Sequence, residues 1–162
     1  MRLALDLAVP ASPEYIAIVR LVVSSLASAR RNLADQRIDD LKLAVSEACT
    51  NAMEAHAACG VDAPVVIRVL EADERLEVQV RDSGGGFDPD HLPRHPPVTD
   101  PERLNFERGL GIPLMRTLMD EVQFSPTAAG TVVRMIFYGG PAGDTGDETS
   151  EILRAVLADE QD

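Results

Sequence analysis

Ala44-Val45-Ser46-Glu47-Ala48-Cys49-Thr50-Asn51-Ala52 sits in the most regular stretch of the chain. Around it Leu41, Ala44, Val45, Ala48, Cys49, Ala52 and Met53 recur every three or four residues, the spacing of an α-helix with one apolar face. The pattern predicts a helix from near Asp39 to about Ala58, with Gly60 as its C-terminal stop. Glu47 and Asn51 are four apart and share a second face, about 100° or more from the centre of the apolar stripe, with Glu54 on the same side. A carboxamide oxygen there can bind a hard cation such as Mg²⁺, and a carboxylate can take a proton from a nucleophile. The same two residues also suit a solvated helix face, so this pair alone does not separate a site from a surface.

The flanking segments tell what this helix packs on. Residues 2–9 alternate, with Leu3, Leu5, Leu7 and Val9 on one side, which predicts a half-buried strand ended by Pro10. Ser12, Pro13 and Glu14 form a helix start, and the apolar spacing of Tyr15, Ile18, Val19, Val22, Leu26 and Ala29 carries that helix to about Leu33. Residues 65–70 and 76–81 are rich in branched side chains and joined through Ala72-Asp73-Glu74, a β-hairpin pattern. A short helix is expected from Gly109 to about Met119, then strands over 121–125 and 131–138 that turn at Ala128-Ala129-Gly130. Strands joined mostly by hairpins, interleaved with helices, predict an α/β two-layer sandwich: a mixed, mostly antiparallel sheet with the helices on one face.

Two glycine-rich turns interrupt this pattern. Asp82-Ser83-Gly84-Gly85-Gly86 follows a predicted strand; its glycines permit positive φ and close approach to the backbone, and Asp82 can accept a hydrogen bond from an exocyclic amine such as that of adenine. Arg108-Gly109-Leu110-Gly111 opens a helix, where free N–H groups, the helix dipole and a forked cation suit phosphate. It is neither a dinucleotide fingerprint nor a P-loop, since the third glycine and the Gly-Lys-Ser/Thr run are absent. Taken singly, each turn reads equally as a loop junction. Between them lie 25 or so residues with many prolines and little periodicity, a length usually functional or disordered.

Composition narrows the function classes. A chain of 162 residues with 45% hydrophobic and 26% charged residues is of single-domain size and can bury a core without staples. A net charge of −12 repels nucleic acid and anionic lipid and suits a basic protein partner. Cys49 and Cys59 lie roughly 15 Å apart along one helix, too far for a disulfide. They read as reduced thiols, which points to a cytoplasmic protein. No apolar run reaches membrane length, and Met1-Arg2-Leu3-Ala4-Leu5-Asp6 does not read as a signal peptide because Asp6 interrupts it. Residues 139–150 form a Gly/Asp/Thr linker, and 151–158 suit a short helix capped by Ser150.

In their order along the chain the signals reinforce one another. Glu47-Ala-Cys-Thr-Asn51 resembles the N box of the GHKL ATPases, a superfamily that includes gyrase, heat-shock chaperone, histidine kinase and mismatch-repair ATP domains. Asp82-Ser-Gly84-Gly-Gly86 resembles its first glycine box, Gly109-Leu-Gly111 its second, and Gly130-Thr131 its later Gly-Thr pair, so the likeness spans about residues 3–137. The run from Ala44 to Ala52, and Gly109-Leu-Gly-Ile-Pro-Leu-Met-Arg-Thr-Leu-Met-Asp120-Glu121-Val122, are most similar to the anti-sigma-factor serine kinases of bacteria.

That resemblance implies a domain over 1–138 with a lid over 87–108. In it Asp82 binds adenine with Thr131 in support. Asn51 holds Mg²⁺. Gly84, Gly86, Arg108, Gly109, Leu110 and Gly111 line the phosphates of ATP, with Arg103 as the alternative lid cation. Glu47 is the catalytic base toward a serine or threonine of an anti-sigma-factor antagonist. It also implies a sigma factor as second partner and a homodimer. The chain departs from the family in its proline-rich lid, which carries His91 and His95, and after the Asn: His commonly stands four residues on, whereas here that position is Ala55 and His56 comes one later, so the resemblance assigns His56 no role and a polar or capping histidine is the plainer reading.

Besides a reading without nucleotide, in which the glycines are mere turns and the polar helix face is solvent surface, two other functions stay open at this level. The domain could sequester a partner and use ATP only as a conformational ligand. Alternatively, it could act in trans as a histidine-kinase-like catalytic domain, although no acceptor helix is evident.

Overall fold

A computed structural model describes residues 1–30, 33–85 and 111–139. Five strands, β1 (Arg2–Val9), β2 (Val65–Ala72), β3 (Arg75–Arg81), β4 (Glu121–Thr127) and β5 (Gly130–Tyr138), form one sheet in the order β1-β2-β3-β5-β4. The sheet expected to be mixed is antiparallel at every described pairing. Tight turns at Asp73-Glu74 and Ala128-Ala129 join β2 to β3 and β4 to β5, which forces opposite directions on each pair.

Among the described residues three helices, α1 (Ile16–Ser28), α2 (Asp35–Cys59) and α3 (Gly111–Leu118), pack on one another, and α2 lies across β2, β3 and β5. Leu41, Val45, Ala48, Cys49 and Ala52 of α2 meet Ile67, Val69, Val78, Val80, Met135 and Phe137 of the sheet in one core. Each large apolar side chain buried there contributes about 1.5–3 kcal/mol. Gly60 ends α2 at φ 64, as its position after the last periodic residue predicts.

Three local expectations are corrected. α1 stops at Ser28 instead of near Leu33, because the amides of Ala29 and Arg30 bond back to Ser25 and Ala27 and close the helix. Ser12 makes no side-chain cap; a short 3₁₀ turn, Pro13–Tyr15, leads into α1 instead. α2 starts four residues before Asp39, since the polar turn Asp35-Gln36-Arg37 carries no apolar period yet is helical. Arg37 anchors that turn, stacking on Phe137 at 3.8 Å and pairing with Asp120 at the α3–β4 junction.

The fourth correction concerns the first strand. The pairing of β1 with β2 shifts by one residue between Leu3 and Leu5, a bulge that sends Leu3 to the outer face, where it is 53% exposed. Leu5 and Leu7 stay packed on the core.

The outer face also carries a buried charge at Glu77, which takes hydrogen bonds from Arg75, Gln79 and Arg134 at 2.6–3.2 Å. Burial alone would push its carboxyl up, but these three partners outweigh it and hold the group below the usual carboxylate range.

Candidate functional site

α2 supplies the floor of the site. Glu47 and Asn51 stand half-buried on its polar face, away from the stripe that meets the sheet. The first residue of α3 lies flush on them. A Cβ built on Gly111 would come 2.7 Å from Glu47 Oε2 and 3.6 Å from both side-chain polar atoms of Asn51. Glycine at the end of the second turn therefore brings the start of α3 against the carboxylate and the carboxamide.

Asp82 forms the second part. It is 5% exposed and stands where β3 ends beside β5. Its amide bonds to the Thr131 carbonyl at 3.0 Å, continuing the ladder, but the returning Thr131 amide bonds to the Asp82 side-chain Oδ1 at 3.2 Å. Gly84 N also donates to Oδ1, at 2.9 Å. Two donors thus fix the carboxylate, while Oδ2 takes no partner from the described residues. Gly130 makes the approach possible: its φ is 132, and a Cβ there would fall 2.1 Å from the Asp82 carbonyl oxygen.

The turn after Asp82 is fastened to the C-terminal end of α2. Ser83 N donates to His56 Nε2 at 2.7 Å, and Gly85 N to Cys59 Sγ at 3.2 Å. A Cβ on Gly84 would meet Ala55 Cβ at 2.8 Å, so this glycine serves the approach of the turn to the helix. Neither Gly84 nor Gly85 uses positive φ, the freedom read into this turn from sequence. All four amides from Asp82 to Gly85 are bound within the protein.

The two thiols of α2 differ in consequence. Cys49 is in the core, and burial pushes its thiol up to about 12, whereas Cys59 is exposed. Alkylation of the native protein with iodoacetamide near neutral pH is expected to label Cys59 alone. Intact-mass analysis should show one adduct in buffer and two in denaturant; two adducts in buffer would contradict the packing of Cys49.

The structure sets Gly111 of α3 against Glu47 and Asn51 midway along α2, and joins Asp82, Gly84 and Thr131 near the C-terminal end of that helix. Gly86, Arg108, Gly109, Leu110, Arg103 and the lid over 87–108 lie outside the described residues. His56 was given no role from sequence. Its signal was its spacing, four residues after Ala52 and seven after Cys49, which puts it on the buried stripe instead of the polar face.

The model of the histidine kinase-like ATPase domain matches residues 9–137. The chain belongs to that family. Within it the chain is 41% identical over 140 residues to a serine-protein kinase RsbW of Bacillus pumilus, covering 82% of this chain and 85% of the relative. It is 40% identical over 144 residues to the serine-protein kinase RsbW of Bacillus subtilis, covering 86% and 89%. This member of the histidine kinase-like ATPases is accordingly an ATP-using serine/threonine protein kinase.

Solved structures that share the fold include a chain of the SiaB–SiaC complex of Pseudomonas aeruginosa, with TM-score 0.60, 16% identity and coverage of 84% of this chain and 90% of the other. Another holds the RsbU and RsbW domains of a Mycobacterium tuberculosis protein, with TM-score 0.59 and 21% identity; 85% of this chain matches 32% of that longer one. Among the described residues no helix is long and apolar enough to cross a membrane.

Proposed function

We propose that this kinase is an anti-sigma factor. It binds Mg-ATP, sequesters a sigma factor, and phosphorylates a serine or threonine of an anti-sigma-factor antagonist, working as a homodimer in the cytoplasm. The observation that carries the reading is the meeting of Gly111 of α3 with Glu47 and Asn51 midway along α2, a helix whose C-terminal end holds the turn after the Asp82–Thr131 pair.

The residues fit ATP. The bonds from Gly84 and Thr131 hold the Asp82 carboxylate in place and leave Oδ2 to accept from the adenine amine. Asn51 offers a carboxamide oxygen to Mg²⁺. Among the described residues no group of three or more His, Cys, Asp or Glu side chains could hold a metal, so a cation at Asn51 would share its shell with phosphate oxygens and water, as Mg²⁺ usually does. Gly86, Arg108, Gly109, Leu110 and Gly111 would border the phosphates, and residues 87–108 would form the lid. ATP supplies the phosphoryl group. Glu47 would take the proton from the attacking hydroxyl as the bond from the γ-phosphorus to ADP breaks, and Asn51 would hold the cation that offsets phosphate charge.

The test is a transfer assay with Mg-ATP and the antagonist. An acid-stable phosphoserine or phosphothreonine on the antagonist is expected. An acid-labile product would point to phosphohistidine, and tight partner binding without transfer would leave a sequestering module.

The adenine contact has its own prediction. Asp82→Asn keeps an oxygen for the Gly84 and Thr131 amides but turns an N–H₂ toward the adenine amine, donor against donor. ATP affinity is expected to fall on the order of a hundredfold with the fold intact. Unchanged affinity in a titration calorimeter would remove Asp82 from the site.

A further inference from the structure

We infer that His56 is a positioning residue for the adenine carboxylate: its Nε2 pins the turn after Asp82 to α2, and ATP affinity depends on that bond. This rests on the nucleotide reading above.

His56 is 1% exposed, and its Nε2 accepts from Ser83 N at 2.7 Å. An accepting Nε2 in a neutral ring places the proton on Nδ1. That Nδ1 is itself buried without a hydrogen-bond partner among the described residues. An apolar side chain on the same stripe would avoid burying a lone N–H, so packing does not account for an imidazole here. The bond to Ser83 does.

The consequence passes through one peptide unit. Asp82 and Ser83 are adjacent, and the Asp82 carboxylate is already tied to β5 on one side and to Gly84 on the other. Remove the Nε2 acceptor, and Ser83 N–H loses the bond that holds the turn to α2. The turn then relaxes from α2, and Gly84 N, which orients Oδ1, moves with it. Gly85 N keeps only the weaker acceptor Cys59 Sγ, 3.2 Å away on an exposed residue. Position 55 cannot take over the role of 56. Ala55 faces the place where a Gly84 Cβ would stand, at 2.8 Å, so a larger side chain there would push the turn away. Asn51 and Glu47 lie about one and a half and two and a half turns toward the N-terminus of α2, and neither bonds to the turn, so the transfer step itself is spared.

The variants are His56→Leu, which removes the acceptor, His56→Asn, whose shorter side chain falls short of Ser83, and His56→Gln, whose Oε1 can replace Nε2. Three measurements apply: ATP affinity by calorimetry, KM and kcat at saturating antagonist, and amide hydrogen exchange at residues 82–85 in nucleotide-free protein. His56→Leu and His56→Asn are expected to weaken ATP binding and raise its KM about tenfold, the worth of one hydrogen bond. Their kcat should stay within about threefold, and exchange at Ser83 should speed up without nucleotide. His56→Gln should restore affinity to within about threefold of the parent.

Wild-type affinity in His56→Asn, or failure of His56→Gln to rescue when both proteins are folded, overturns the inference. If His56→Leu does not fold, the Asn and Gln pair still decides it. Should Asp82→Asn leave ATP affinity unchanged, the nucleotide reading itself has failed. Should Asp82→Asn weaken binding while His56→Asn does not, only the role of His56 has.

Discussion

Glu47→Ala is expected to slow phosphoryl transfer to the antagonist by about 10²–10⁴-fold, the usual contribution of a positioned base, while ATP affinity holds or rises slightly. The two effects separate because, in the proposed role, the carboxylate acts on the nucleophile's proton and not on the nucleotide, and its negative charge would oppose nearby phosphates, so removing it would relieve a repulsion. Glu47→Gln is the stricter variant. It keeps the volume against Gly111, where Oε2 now sits 2.7 Å from the position of a Cβ, yet it cannot take a proton. Both substitutions should lower kcat equally and leave the KM for ATP near that of the parent. Asn51→Ala should behave differently, losing Mg-ATP affinity as well as rate. Substantial transfer by Glu47→Gln would take the base role away from Glu47 and leave it a spacer for α3.

Much of this architecture was legible because the elements near the site are strongly periodic. The seven apolar residues from Leu41 to Met53 predict the buried face of α2, and all seven are in the core. The polar face followed by subtraction, which is why Glu47 and Asn51 could be paired before any fold was known. What escaped was non-local or aperiodic. Alternation in residues 2–9 placed Leu3 with Leu5, but a bulge set by pairing with a strand some 60 residues away reversed it. The polar first turn of α2 has no period to read. Glu77 sits in the middle of a strand like any outward residue, and its burial depends on Arg134 from a neighbouring strand.

The same division runs through the site. The glycines of the first turn suggested backbone freedom, but Gly84 is small because Ala55 lies against it. The distance of His56 from Asn51 says nothing of the bond its Nε2 accepts from Ser83, which only the tertiary fold makes. A local pattern names the residue types; which backbone each one touches is decided by the tertiary fold.

Gly130→Ala carries the largest expected cost in stability, about 3 kcal/mol or more, together with loss of ATP binding. Two effects add. At φ 132 an L side chain is strained, by about 1–3 kcal/mol. The new methyl would also lie 2.1 Å from the Asp82 carbonyl oxygen and 2.7 Å from its carbon, which are backbone atoms in a sheet and cannot swing aside as a side-chain tip could. β3 and β5 must therefore part at that end. Parting breaks the bond from Asp82 N to the Thr131 carbonyl and the bond from Thr131 N to Asp82 Oδ1, so the carboxylate proposed to hold adenine loses its anchor in the same movement.

Gly60→Ala is the control for backbone strain alone. Its φ is 64, and a Cβ there meets nothing within 4 Å, so it should cost only about 1 kcal/mol and leave nucleotide binding intact. Urea unfolding of both variants, with ATP titration of the folded protein, separates the two effects. If Gly130→Ala matches Gly60→Ala in midpoint and binds ATP normally, the close approach of β5 to Asp82 is not what holds the site together. If it fails on both counts, the later Gly-Thr pair owes its glycine to the carbonyl of Asp82.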